Sequence, residues 1–279
     1  MRREFEIPSS EGLPLRGELD VPNAPRCVVL VVHGFKGFRD WGFFPWITER
    51  LTAAGYASIR FDLSRSGIGE KRGSLDRLDL FARNTYSIEV ADVRRIIEWA
   101  ASAPGVEGLP LFLLGHSRGG GISILAAVSA PVVRGVVTWS SIATADRWSD
   151  EDKRRWREEG KLEIVNSRTG QSMPLTTDVL DDLETSGERL DIGAALRSID
   201  LPTLFIHGLA DESVPCAESK SLAAAARNGS LVLIENGSHT LGATHPLGNP
   251  PPQLSAAMRA TLAFLNAYCR TTRIKPRTA

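Results

Sequence analysis

The chain has 279 residues, 42% hydrophobic and 24% charged, proportions that suit a folded protein with a sizeable core and are too apolar for a disordered one. Lys+Arg and Asp+Glu number 33 each, so the formal net charge is zero and no long-range field draws the molecule toward nucleic acid or an anionic membrane. Three cysteines, Cys27, Cys216 and Cys269, are too few and too widely spaced for a disulfide framework, and with five histidines they offer no metal-ligand spacing. Met1 to Ser10 lacks an apolar stretch of signal-peptide length, and no run of about eighteen apolar residues occurs. These features predict a cytoplasmic protein without metal, nucleic-acid or membrane partners.

In chain order, Arg3 to Ile7 and Leu15 to Leu19 alternate polar and apolar residues, the pattern of an edge hairpin with one wet face. Cys27 to His33 does not alternate, and neither do Leu111 to Leu114, Val132 to Trp139, Thr203 to Ile206 or Leu231 to Ile234. These runs read as strands buried on both faces, and Ala57 to Phe61 fits between them as another. Helical segments fill the gaps. Pro45 to Ala54 ends at Gly55, and Thr85 to Ala101 spaces Ile88, Val93, Ile96, Ile97 and Trp99 along one face. Gly119 to Ala130 and Ser255 to Cys269 are two more. Short apolar runs alternating with amphipathic stretches predict βαβ units and a mostly parallel sheet, an α/β fold.

One stretch breaks this rhythm. Roughly sixty residues separate Trp139 from Thr203, too many for an ordinary connection. They hold a charged helix candidate, Ser149 to Glu159, a hairpin signal in Leu162 to Val165 and Gln171 to Met173 around Asn166 to Gly170, and a short helix near Thr177 to Leu183. Residues 140–198 therefore read as an inserted cap on a core of residues 1–139 and 199–270. Trp148, Trp156 and Met173 are the candidates to line a pocket beneath it; the alternative is a surface excursion with a small core of its own. The basic segment 271–279 reads as a loose tail.

The sharpest chemical signal is Gly115-His116-Ser117-Arg118-Gly119, between a buried strand and a helix. A turn that projects a serine there crowds its own backbone, so glycine is needed two positions before and two after. The helix behind Ser117 aims its positive dipole end and free N–H groups at the oxygen. A serine hydroxyl attacks only if a base takes its proton and an acid orients that base. His33 and His116 precede or adjoin the serine and His207 precedes any plausible acid loop, leaving His239 and His245. His239, just after the last strand, is favoured. The acid belongs in Gly208 to Pro215, where Asp211 and Glu212 are adjacent, and Asp211 has the shorter side chain nearer the strand end. Backbone N–H groups of Phe35, in the loop after His33, and of Arg118 are the candidate donors to an oxyanion.

The set His33-Gly34-Phe35, Gly115 to Gly119, His207-Gly208 with Asp211, and Gly237-Ser238-His239 resembles the α/β-hydrolase superfamily, in the branch of small serine esterases, dienelactone-hydrolase-like proteins and cinnamoyl or feruloyl esterases. The resemblance runs from about Val28 to Leu265. It implies the α/β-hydrolase fold with an eight-stranded, mostly parallel sheet, a Ser117–His239–Asp211 triad, an oxyanion hole and no cofactor. Asp62 to Gly67 looks like the family's Asp-x-Arg-Gly-x-Gly stretch, with Ser64-Arg65 where Arg-Gly is usual, and reads as structural. True dienelactone hydrolases carry cysteine as nucleophile, so Ser117 points to ester chemistry instead. The expected activity is carboxylic ester hydrolysis of a small molecule by a monomer or homodimer. Amide or peptide cleavage by the same residues, a non-catalytic binding protein and a structural or interaction protein are the rivals.

Overall fold

The computed structural model describes residues 1–166 and 169–269, so the tail expected over 271–279 lies outside the described residues. Its strands are β1 (Arg2–Pro8), β2 (Pro14–Asp20), β3 (Val28–Val32), β4 (Ala57–Phe61), β5 (Leu111–His116), β6 (Val133–Trp139), β7 (Lys161–Val165), β8 (Ser172–Thr176), β9 (Thr203–Gly208) and β10 (Gly229–Ile234). Its helices are α1 (Phe44–Ala53), α2 (Leu78–Ala82), α3 (Tyr86–Ala100), α4 (Arg118–Ala127), α5 (Asp150–Glu159), α6 (Asp178–Ser186), α7 (Ile192–Ser198), α8 (Cys216–Ala225) and α9 (Pro252–Tyr268). Eight strands form one sheet in the order β1-β2-β4-β3-β5-β6-β9-β10, while β7 and β8 pair separately. The pairs β1–β2 and β2–β4 are antiparallel; every later neighbour in the large sheet is parallel. This is the α/β-hydrolase fold.

Successive side chains of a strand point to opposite faces, so each central strand feeds two cores. Val28, Leu30 and Val32 of β3 enter one, while Val29 and Val31 enter the other. Leu111 and Leu113 of β5 divide from Phe112 and Leu114 in the same way. The first core is closed by Val93, Ile96 and Ile97 of α3 and Ile122 of α4. Phe44, Ile47 and Leu51 of α1 close the second with Leu254, Met258 and Leu265 of α9. Burial on both faces is why these strands are unbroken apolar runs.

Leu231 to Ile234 departs from that expectation. β10 is the last strand of the sheet with β9 as its single neighbour, and Leu233 is 36% exposed. The chain also forms α2, α7 and α8, which the periodicity does not announce because each is short or weakly amphipathic.

Residues 140–198 contain α5, the β7–β8 hairpin, α6 and α7. Ser149 caps α5 by accepting from Asp152 N–H, and Gly160 at φ 72° ends the helix. The hairpin and α6 are fastened to the segment between β4 and α3 and to the first turn of α3. Gln171 Nε2 donates to Leu75 O at 3.1 Å, Thr176 Oγ1 to Ala82 O at 3.0 Å, and Ser87 N–H to Asp182 at 2.9 Å. α7, at the end of the segment, packs against α4 and α8 beside the large sheet. Among the described residues, no helix is long and apolar enough to cross a membrane.

α4 lies hard against the end of β3. A Cβ at Gly119 would stand 2.4 Å from His33 O and 2.5 Å from Val32 O, both rigid backbone atoms. Gly119→Ala must therefore push helix and strand apart, and it should destabilise the protein by about 3 kcal/mol, read from the midpoint of urea unfolding.

Candidate active site

Ser117 occupies the turn between β5 and α4 with φ 57° and ψ −124°, a conformation costing roughly 1–3 kcal/mol for a non-glycine residue. Its backbone N–H donates to Trp139 O at 2.9 Å on β6, and its carbonyl accepts from Gly120 N–H at 3.0 Å. The flanking glycines touch: a Cβ at Gly115 would meet Gly119 O at 2.2 Å. The sharp turn and its two glycines are one steric requirement, as the spacing predicts.

Asp211 follows β9 and His239 follows β10, at the same carboxyl-terminal edge of the sheet as Ser117. His239 Nε2 lies 3.0 Å from Ser117 Oγ. On the other side of the ring, Nδ1–H donates to Asp211 Oδ2 at 2.9 Å, with Oδ1 at 3.1 Å. The three side chains expected together from the sequence form one hydrogen-bonded chain. Glu212 is exposed, and His245 instead accepts from Gly42 N–H at 2.9 Å.

The loop after β3 lies against the serine, because a Cβ at Gly34 would come within 2.9 Å of His116 O and 3.0 Å of Ser117 Cβ. Gly37 N–H closes the turn on Gly34 O at 3.0 Å. Buried His33 holds it from behind: its Nε2 accepts from Leu63 N–H at 3.2 Å and Nδ1–H donates to Gly34 O at 2.9 Å. Phe35 and Arg118 both line the cavity with Ser117 and His239. Among the described residues, neither the Phe35 nor the Arg118 backbone N–H meets a protein acceptor. The Arg118 side chain is buried between the rings of Phe35 and Tyr86, 4.2 Å from each centroid, with Glu89 at 3.3 Å.

The cavity has a volume of about 810 Å³. Trp148 lines it, as expected, but Trp156 and Met173 do not. Met173 alternates inward with Leu175 along β8 and is fully buried. Trp156 sits on the inner face of α5, stacks edge-on against Trp148 and donates Nε1–H to Leu175 O at 3.0 Å. Both are packing residues of the segment between β6 and α6. Tyr86, Ile142, Arg147 and Ile164 line the cavity instead. They come from three separate segments, α3, the connection from β6 to α5, and β7, which no local sequence pattern connects. Among the described residues, no cluster of three or more His, Cys, Asp or Glu side chains is arranged to hold a metal ion.

Electrostatics separates the histidines. Burial alone would raise the Asp211 carboxyl, but hydrogen bonds from His207, His239 and Val214 N–H outweigh it and hold the group far below the usual carboxylate range. Ser213 and Val214 N–H groups both donate to its Oδ1 at 2.9 Å. His207 approaches Oδ2 at 3.2 Å while its Nδ1 accepts from Ser219 at 2.6 Å, a buttress that chain order alone does not reveal. His116 is equally unannounced. Burial, with the nearby His239 ring as a second contribution, lowers its pKa to about 3, and its neutral Nε2–H donates to His239 O at 2.9 Å. An exposed His116 titrates near 6.5, so between that pH and 3 the unfolded chain binds the extra proton and stability falls as pH falls. His116→Phe should flatten the stability profile in that window by up to about 1.4 kcal/mol per pH unit, read from denaturant melts across pH.

The sequence model of the serine aminopeptidase S33 family matches residues 23–162. Among curated proteins, a putative phosphoribosyl transferase of Mycobacterium tuberculosis is 31% identical over 138 residues, spanning 49% of this chain and 29% of that protein. The monoglyceride lipase of Saccharomyces cerevisiae is 31% identical over 105 residues, spanning 37% of this chain and 30% of the lipase. The chain thus matches less than a third of the length of either relative. Among solved structures, Est1E from Butyrivibrio proteoclasticus with bound ferulic acid superposes with a TM-score of 0.75 at 20% identity, covering 95% of this chain and 98% of that one. That likeness is one of fold. With the family's sequence model matched over half of its length, on an eight-stranded sheet of hydrolase topology, the chain belongs to the serine aminopeptidase S33 family of α/β-hydrolases.

Proposed function

We propose that the protein hydrolyses carboxylic esters of small molecules through an acyl-enzyme on Ser117. The observation that carries this reading is the continuous hydrogen-bonded chain from Ser117 Oγ through His239 to Asp211, opening on a cavity. Ser117 Oγ attacks the ester carbonyl as His239 Nε2 takes its proton. Asp211 fixes the tautomer with the proton on Nδ1 and stabilises the imidazolium, remaining ionised because its hydrogen bonds favour the charged form. The Phe35 and Arg118 N–H groups receive the negative charge that develops on the carbonyl oxygen. The tetrahedral intermediate collapses, and the leaving alkoxide takes the proton from His239. Water then gives a proton to His239 and attacks the acyl carbon, and collapse of that second intermediate returns the proton from His239 to Ser117 Oγ and releases the acid. In this reading residues 140–198 cap the core of 1–139 and 199–270, and the protein works without a metal or cofactor.

The family's description raises a second reading, removal of amino-terminal residues from peptides. Such a substrate brings an ammonium group, which a carboxylate in the pocket would hold. Among the described residues, no Asp or Glu lines the cavity, so the ester reading is preferred.

Ser117→Ala should lower kcat on an activated short-chain p-nitrophenyl ester by about 10⁴-fold to 10⁶-fold without changing the melting curve, and should abolish labelling by a fluorophosphonate. Asp211→Asn should cost on the order of 10⁴-fold in kcat through the wrong His239 tautomer. Full activity in purified Ser117→Ala would overturn the proposal, and faster turnover of aminoacyl anilides than of esters would favour the peptidase reading.

A further inference from the structure

The cavity beside Ser117 carries a charge imbalance absent from the chain as a whole. Cationic and anionic residues are equal at 33 each, yet Lys36, Arg118 and Arg147 line the cavity and no Asp or Glu among the described residues does. Two of these cations are compensated from behind the wall. Arg118 pairs with buried Glu89 at 3.3 Å, and Arg147 with Glu218 at 2.8 Å.

Lys36 is different. Its Nζ donates to the Val165 carbonyl at 3.3 Å, and among the described residues no carboxylate lies within ion-pair distance of it. The residue is half-buried in the turn that follows Phe35, with φ 57°, and burial holds its pKa below the usual lysine value. A partly desolvated ammonium whose partners are one long hydrogen bond and the Phe35 ring, 5.9 Å from the nitrogen, is an unfavourable arrangement that an anion entering the cavity would relieve. Much of the remaining wall is apolar or aromatic, with Trp41, Phe44, Ile142, Trp148 and Ile164, while Asn166, Ser213, Thr240 and Thr244 add polar groups. A ligand suited to both halves has an apolar body and one negative group.

We infer that the site takes esters carrying a carboxylate, with Lys36 as the side chain that binds it. This inference rests on the ester reading of Ser117 and narrows its substrate class. A neutral ester leaves the Lys36 ammonium poorly solvated beneath it, whereas a carboxylated ester replaces the lost water with a charge-assisted hydrogen bond. Discrimination between the two follows from the same desolvation.

Binding and turnover test the inference separately. Three esters serve as probes: p-nitrophenyl hexanoate, mono-p-nitrophenyl adipate with the carboxylate on the acid half, and carboxynitrophenyl hexanoate with it on the alcohol half. Calorimetric binding to Ser117→Ala should favour at least one carboxylated ester over the neutral one by about tenfold or more. That ratio should collapse toward one when Lys36→Met is added and persist with Lys36→Arg. In the otherwise wild-type enzyme the ratio of kcat/KM values should follow the same order. Equal binding of all three esters, or a preference that survives Lys36→Met, overturns the assignment. Selective binding without turnover supports the Lys36 assignment and overturns only the esterase reading.

Discussion

Contact between two stretches of backbone governs the arrangement. α4 can start directly behind β5 only because Gly115 and Gly119 let the chain touch itself, and because Gly119 also lets the helix rest against the carbonyls that end β3. The cost is borne at Ser117, whose dihedral angles lie outside the ordinary regions and are held by hydrogen bonds to β6 and to the helix's first turn. A looser approach would relieve the strain and swing the hydroxyl away from His239. Packing density at the end of β3 and the aim of the Ser117 oxygen are therefore one property.

Loops after β3, β9 and β10 converge around that oxygen, and each is held by a buried imidazole. His33 bonds the loop that carries Phe35, His207 braces Asp211, and His116 bonds the backbone of His239 itself. A neutral imidazole offers one donor and one acceptor in a fixed plane, so it can tie two strands of backbone without bringing in a charge that would need a partner. The burial that lowers the pKa of His33 and of His116 keeps both in this bridging form.

Unbroken apolar runs in β3 and β5, and glycines spaced around Ser117, are local signals. They made the parallel sheet and its order of events legible in the sequence, together with the grouping of Ser117, Asp211 and His239. Leu231 to Ile234 misled because a run of four apolar residues says nothing about whether a neighbouring strand exists on each side. Trp156 and Met173 misled for a related reason. Their apolar character announces burial, but whether a side chain faces a cavity or a small private core depends on how α5 meets the β7–β8 hairpin. The bracing by His207 and His116 was equally hidden, since each bond closes between residues whose proximity exists only after the sheet is assembled.

The anchoring of the β7–β8 hairpin also bears on how such a molecule changes over time. Its fastening points at Leu75 and Ala82 are carbonyl oxygens of the main chain, which every amino acid supplies. Side chains at Leu75 and Ala82 can thus be exchanged while the attachment survives, so long as Gln171 and Thr176 keep their donors, and that stretch is free to vary without loosening the hairpin.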